Sequence, residues 1–474
     1  MLYSHVTLLM LRVMDVVTKT SVQQSARMLV AEIPGDIQIG ALFPMHRQIA
    51  GAEGCGAIWE QYGYLASKNY IVINYKGIQR AEVAILTIQE LNKILPFRLG
   101  ISIRDSCWTE RIAMEQVSFK IYPLKYLIIL SKKKTIAFLR EGVTQCSCCQ
   151  TAGCQKKANP VVAIVGPAKS STTIAVQNLL QVFRIPQIGY AATTTDLSDK
   201  EQFGYYLRVV PSDAWQAMAI SQLLMHFGWT YIAVVYSAGN LKYKIKNISF
   251  VGNYGEKGFE AMERLTHAPG IDVCIAHAQK VKTMGENEEF ENVLLVLNEL
   301  NPRPKVVVCF CEGRSLNKLF QAQKALRMGK RSSITTYNNT TFDKGIKRIE
   351  AFQWIGSDGW ADRLDVVEGV ETEAAGSFSF RIHSPRVEKF EPYYYSLEPA
   401  NQSIKNPWFR EFWQQKFKCL LTVPKDDTFS ELCDVSSQNL SVGYEQDPKL
   451  SQVKNNFRFF YKIKILFNNC VNLY

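Results

Sequence analysis

Val161-Val162-Ala163-Ile164-Val165-Gly166-Pro167-Ala168-Lys169-Ser170-Ser171-Thr172-Thr173, running into the apolar, helix-like stretch Ile174 to Phe183, decides the fold of this chain. An apolar run of strand length, a turn of small residues and a helix start make a βα unit of an open parallel sheet. A second strand, Ile185 to Tyr190, follows and ends at Ala191-Ala192-Thr193. At the carboxyl ends of such strands, free backbone N–H groups and the helix dipole form a seat for an anion. Ser170 lies at the turn and Thr193 ends the next strand, so two hydroxyls can converge on one small carboxylate. Asp213, in Pro211-Ser212-Asp213, brings a negative charge for an ammonium group. A carboxylate seat beside an ammonium seat is what a free amino acid requires. Taken alone, Ser170 and Thr193 read as helix caps, and Asp213 caps the helix that follows it.

A chain of 474 residues is long enough for two or three domains. Its net charge of +12 raises a nucleic-acid or membrane partner, a reading that the charge distribution below removes. Twelve cysteines favour disulfides and an exported chain over a reducing cytosol. Two glycosylation sequons, Asn401-Gln402-Ser403 and Asn439-Leu440-Ser441, agree with export. Residues 1–34 read as a weak, signal-like leader, since the apolar stretch Thr7 to Val17 is broken by Arg12 and Asp15. No run approaches the roughly 20 apolar residues that span a bilayer, so the chain as written is expected to be soluble.

Outward from the first stretch the same alternation repeats. Before it stand the strand Ile37 to Phe43, a helix from Gly77 to Asn92 and the strand Leu99 to Ile103. After it come the helix Ala214 to Phe227, the strand Trp229 to Tyr236 and the helix Glu256 to Leu265. The strand Val273 to Ala278, the helix Glu288 to Leu300, the strand Val306 to Cys311, the helix Leu316 to Arg327 and the strand Phe352 to Gly356 complete it. This much β–α alternation predicts two doubly wound, mostly parallel sheets flanked by helices, an α/β fold in two lobes.

Several motifs then identify a family. Gly40-Ala41-Leu42-Phe43, Glu60-Gln61-Tyr62-Gly63, Ile103-Arg104-Asp105-Ser106-Cys107-Trp108 and Val209-Val210-Pro211-Ser212-Asp213 resemble the ligand-binding ectodomain of metabotropic glutamate receptors, family C G-protein-coupled receptors. So do Cys309-Phe310-Cys311-Glu312-Gly313, Gly356-Ser357-Asp358-Gly359-Trp360-Ala361-Asp362-Arg363 and Asn406-Pro407-Trp408-Phe409. The resemblance covers roughly residues 35 to 451 and is nearest to the phospholipase-coupled subgroup, group I. It implies a hinged Venus flytrap (periplasmic-binding-protein-like type I). Lobe 1 would comprise 35–212 and 382–451, and lobe 2 would comprise 213–381. Such a domain closes on L-glutamate in the interlobe cleft and pairs as a homodimer through lobe 1. It needs no cofactor, metal or nucleic acid, and is not an enzyme. In the whole receptor it lies on the extracellular side of the plasma membrane and reaches a heterotrimeric G protein through a transmembrane part absent from this sequence. Alternatives are a soluble, non-signalling receptor fragment and a family C domain for another amino acid or calcium.

Carried over by motif, Ser170 and Thr193 match positions that hold the α-carboxylate. Asp213 and Asp358 match those facing the α-ammonium, with the Tyr254 ring against the ligand. Tyr62, Arg80, Arg363 and Lys449 match the residues around the side-chain carboxylate. Two acids meeting one ammonium, and Arg and Lys meeting a second carboxylate, form a consistent set of charge-assisted bonds. Lys169 departs from the pattern, standing where the family has a small hydroxyl residue.

The resemblance also implies the disulfides Cys55–Cys107, Cys309–Cys311 and Cys419–Cys433, and leaves Cys274 without a partner. Cys146, Cys148, Cys149 and Cys154 crowd a loop where the family has one cysteine that bridges two chains. As four thiolates they could also seat zinc. Gly166-Pro167-Ala168-Lys169-Ser170 lacks two glycines of a P-loop, so nucleotide binding is set aside. No nucleophile–base pair or metal-ligand spacing supports an enzyme.

Against the family, segments 64–76, 117–134, 241–253 and 330–349 read as insertions, and 452–474 as a foreign tail. These five hold nineteen basic residues and one acid, Asp343, so the remainder of the chain is net acidic. The basicity is therefore no footprint of nucleic-acid binding. One bias shared by five separate places points to a common origin, such as retained introns, with lineage-specific surface loops as the alternative. The tail is expected to replace the helix after Lys449 and to leave lobe 1 with an open, apolar edge.

Overall fold

The computed structural model describes residues 29–46, 75–121, 161–238, 244–245, 248–249, 254–282, 285–329, 349–361, 363–422 and 431–458. Most of each segment read as an insertion, and the tail beyond residue 458, lie outside them. The chain divides into two compact units. The first is drawn from Met1–Ala168, Val182–Ile188 and Arg386–Tyr474, the second from Lys169–Gln181 and Gly189–Pro385.

Two main sheets carry the fold. The strands of the first are β1 (Val30–Ile33), β2 (Ile37–Phe43), β3 (Leu99–Asp105), β4 (Val161–Val165), β5 (Gln187–Gly189) and β6 (Tyr206–Arg208), in the order β1-β3-β2-β4-β5-β6. β2 runs parallel to both β3 and β4, and β4 is parallel to β5. β1 is antiparallel to β3. Residues 30–33, which the sequence reading assigned to a leader, are therefore an edge strand, with Ala31 buried and Glu32 exposed. Four residues are too short for the alternation to stand out against a signal-like context.

α1 (Tyr75–Leu91), which precedes β3 as α2 (Glu110–Ile121) follows it, buries Ile78, Ala81, Val83, Ala84, Ile85, Ile88 and Leu91, a face wider than one amphipathic stripe. It also buries Glu82, whose carboxylate accepts hydrogen bonds from Tyr393 (2.9 Å), Gln402 (2.5 Å) and Asn406 (2.7 Å). Burial pushes that carboxyl upward against these three donors. Glu82 thus joins α1 to the short helices Phe390–Tyr395 and Pro399–Lys405.

A second buried polar node involves His46. Its Nδ1 lies 2.6 Å from Asp105 Oδ2 and its Nε2 3.1 Å from Glu411 Oε2, on α8 (Phe409–Phe417). Burial alone would lower the imidazole pKa, but hydrogen bonds to the two carboxylates outweigh it and raise it to about 10. Stability from this pairing is fully present below the ordinary histidine value near 6.5. It is lost as pH rises through about 10. Wild-type protein should therefore lose urea resistance between pH 7 and 10 relative to His46→Gln. Parallel curves for the two across that range would show that the pairing contributes nothing.

The tail corrects an expectation. Residues 450–458 are helical, with Leu450, Val453 and Phe457 fully buried and Asn456 donating to the Ile188 carbonyl at 3.3 Å. Spacings of three and four residues put those apolar groups on one face. The residues after Lys449 thus supply a packed helix, whatever their origin.

The second main sheet, in the order β10-β7-β11-β12-β13, consists of β7 (Tyr231–Ala238), β10 (Cys274–Lys282), β11 (Val306–Phe310), β12 (Gln353–Gly356) and β13 (Phe378–Ser379). Two residue pairs, β8 (Lys244–Ile245) and β9 (Ile248–Ser249), form a separate antiparallel ribbon. Every pairing in the main sheet is parallel. Side chains alternate between faces along a strand, so a sheet covered on both sides needs apolar residues at every position. On one face Ala233, Val235, Val307, Cys309 and Trp354 pack with Phe290, Leu294 and Leu297 of α6 (Asn287–Glu299) and Leu316, Leu319 and Phe320 of α7 (Gly313–Arg327). On the other, Ile232, Val234, Val306, Val308, Phe310 and Ile355 meet Ala217, Ile220 and Leu224 of α4 (Asp213–His226) and Ala261 and Met262 of α5 (Tyr254–Thr266).

Disulfides join Cys309 to Cys311 and Cys419 to Cys433, and Cys107 is disulfide-bonded. Its expected partner, Cys55, lies outside the described residues, as do Cys146, Cys148, Cys149 and Cys154. Cys274 is free and exposed.

Candidate functional site

The strand ends of the second unit gather four polar side chains. Asp213 heads α4, with Ser212 as its cap and the Asp213 N–H donating to the Thr193 carbonyl at 2.9 Å. Tyr254 heads α5, and its hydroxyl donates to Asp358 Oδ1 at 2.5 Å. Asp358 follows β12 in the turn Ser357-Asp358-Gly359-Trp360, where the Gly359 N–H donates to the same phenol oxygen at 3.3 Å. Gln216, one turn along α4, accepts from the Asp358 N–H at 2.7 Å. It also donates to Asp213 Oδ1 at 3.4 Å and to the Tyr254 hydroxyl at 3.5 Å. Burial, then the Asp358 and Asp213 carboxylates, hold the Tyr254 hydroxyl well above its ordinary pKa. Tyr254 is therefore a neutral phenol that donates to Asp358 at physiological pH. Asp213 is buried, while Tyr254, Gln216 and Asp358 each keep partial exposure.

The start of α5 is set by glycine. A Cβ on Gly255 would lie 2.4 Å from the Ser237 carbonyl oxygen and 2.5 Å from that of Phe310. Only a residue without a side chain lets the helix lie that close to β7 and β11, which places the neighbouring Tyr254 beside Asp358.

Thr193 is held from a second direction. Arg208, at the end of β6, donates from Nη1 to the Thr193 carbonyl (3.0 Å) and the Thr194 carbonyl (2.9 Å). Ser170 is the first residue of α3 (Ser170–Leu180) and is buried. None of the bonds that join the other members reaches it. Arg363 donates to the Gly359 carbonyl at 3.1 Å and lies against Gly313 at the start of α7.

The side chains assigned to a distal carboxylate are placed differently. Tyr62 lies outside the described residues. Arg80, on α1, is buried and pairs with Asp447 through Nε (2.5 Å) and Nη2 (3.2 Å). Burial opposes the charge on Asp447, but Arg80 outweighs it and holds the carboxyl below its usual range. Lys449 is half-buried, with its backbone N–H on Asp447 Oδ1 at 3.3 Å.

In the second unit the structure thus brings Thr193, Asp213, Tyr254 and Asp358 together and adds Gln216 and Arg208; in the first unit, described by itself, it pairs Arg80 with Asp447. The sequence reading missed Gln216, Arg208 and Asp447. Gln216 had a local signal, since it lies three residues after Asp213 and so on the same helix face. Arg208 and Asp447 had none.

These two sheets, mixed and parallel and flanked by helices, are a periplasmic-binding-protein-like type I fold. The profile of the receptor family ligand-binding region matches residues 79–426, and the chain belongs to that family. It is a ligand-binding receptor family and not a known enzyme family. Among the described residues, no helix is long and apolar enough to cross a membrane, and no group of His, Cys, Asp and Glu could hold a metal ion.

Proposed function

We propose that this chain is the extracellular ligand-binding region of a metabotropic glutamate receptor-like protein and that its ligand is L-glutamate. The observation that carries the reading is the pair of carboxylates, Asp213 and Asp358, set around one tyrosine at the strand ends of a receptor-family unit. Two acids and an aromatic ring match an ammonium group. Ser170 and Thr193 supply hydroxyls for the α-carboxylate. Arg80, Arg363 and Lys449 are the cations assigned to the distal carboxylate. A group I receptor of this kind acts as a homodimer through its first lobe and couples to a heterotrimeric G protein through a membrane-spanning part. Export fits the sequons, since Asn401 and Asn439 are both exposed.

Lys449 separates glutamate from its nearest neutral analogue. A charge-assisted hydrogen bond contributes roughly 1.5–3 kcal/mol, so glutamate should bind at least about tenfold more tightly than glutamine. Lys449→Ala should erode that preference while leaving glutamine nearly unchanged. Calorimetric titration of both amino acids distinguishes the cases. Equal weakening of the two would mean that Lys449 does not read the side chain.

A further inference from the structure

We infer that Gln216 is the positioning residue that makes the second unit selective for an ammonium group, an inference that rests on the amino-acid reading above. One amide links the start of α4, the start of α5 and the turn after β12. Its Nε2 donates to Asp213 Oδ1 (3.4 Å) and the Tyr254 hydroxyl (3.5 Å), and its Oε1 accepts from the Asp358 N–H (2.7 Å).

The geometry demands an amide at this point. The group must donate to a carboxylate and a phenol oxygen on one side and accept from a backbone N–H on the other. Among side chains that carry no charge, Asn and Gln alone combine two N–H donors with a carbonyl acceptor in one plane. Lysine or arginine at 216 would satisfy the acid but neutralise it, taking the charge that the ligand's ammonium is to meet. Glutamate would set an acceptor against Asp213 and add a third negative group. Leucine would leave the Asp358 N–H without its acceptor. Gln216 therefore holds two like-charged acids beside one tyrosine without discharging them. Gln216 and Asp358 are half-buried, and Asp213 is buried.

A residue with that role affects ligands that carry an ammonium and spares those that lack one. L-Glutamate and L-2-hydroxyglutarate share both carboxylates and differ in a hydroxyl for the ammonium. In the full chain, affinities for both are measured by calorimetry, with the hydroxy acid titrated as a competitor of glutamate and thermal unfolding of the ligand-free protein followed alongside. Gln216→Ala should weaken glutamate on the order of tenfold while leaving the hydroxy acid unchanged, so the selectivity ratio falls by the same factor. Gln216→Met keeps the side-chain volume without the donor and acceptor and should show the same fall, which maintains the test should the alanine variant not fold. A merely structural role would weaken both ligands together, and an unchanged ratio in a folded variant overturns the inference while leaving the amino-acid reading intact. Wild-type protein that binds neither glutamate nor any other α-amino acid overturns both.

Discussion

Replacing Asp213 and Asp358 together by asparagine should take L-glutamate binding out of the measurable range, and each single change should weaken it by about 10- to 100-fold. Each carboxylate is expected to make a charge-assisted bond to the ammonium, worth roughly 1.5–3 kcal/mol. Asparagine keeps the shape and a polar oxygen, so the loss reports charge. The ligand-free protein should respond in the opposite sense. Asp213 and Asp358 both bond into the same Gln216–Tyr254 group, and two like charges there repel. Relieving that repulsion offsets the few tenths of a kcal/mol to about 1 kcal/mol that Asp213 contributes at the amino terminus of α4. Unfolding midpoints of the single variants should therefore equal or exceed wild type while affinity collapses. Loss of stability in step with loss of affinity would show that the acids serve the fold and not a ligand.

The second large effect concerns Gly255. Three backbone atoms, the Ser237 nitrogen and the carbonyl oxygens of Ser237 and Phe310, lie within 2.5 Å of where its Cβ would be. Backbone atoms of two central strands cannot step aside as a side-chain end can. Gly255→Val should therefore push the start of α5 off the sheet, cost about 3 kcal/mol or more, and carry Tyr254 away from Asp358. Gly270→Ala is the control. Gly270 has a φ of +84° with nothing within 4 Å of its added Cβ, so only the left-handed backbone strain of roughly 1–2 kcal/mol applies. Urea unfolding of the two variants checks the order. A Gly255→Val protein as stable as Gly270→Ala would mean that α5 does not depend on the close approach.

Local pattern made much of the molecule readable. The central strand β11 is buried at every position, so its run Val306-Val307-Val308 is apolar without interruption and declares itself from one stretch of chain. The helices after those strands announce themselves by spacing, and Asp213 stands out at a helix start, whereas Tyr254 and Asp358 came only with the family motifs. The same logic failed where local context was thin, at the four-residue edge strand Val30–Ile33 and in the tail helix 450–458.

Sequence alone determined the α/β class, the receptor ligand-binding family in its broad sense and three of the four side chains in the polar cluster, because those depend on periodicity and on motifs a few residues long. Only the tertiary structure decided which groups are partners. Arg80 meets Asp447 across 367 residues and His46 meets Glu411 across 365, pairings that no local window contains. The reason is physical: a buried charge must find its counter-ion wherever the fold brings one within about 3 Å, and that choice belongs to packing rather than to neighbours in the chain. Gln216 lies between these extremes, its face of α4 set by spacing from Asp213, its role set when β12 delivers the Asp358 N–H to its oxygen.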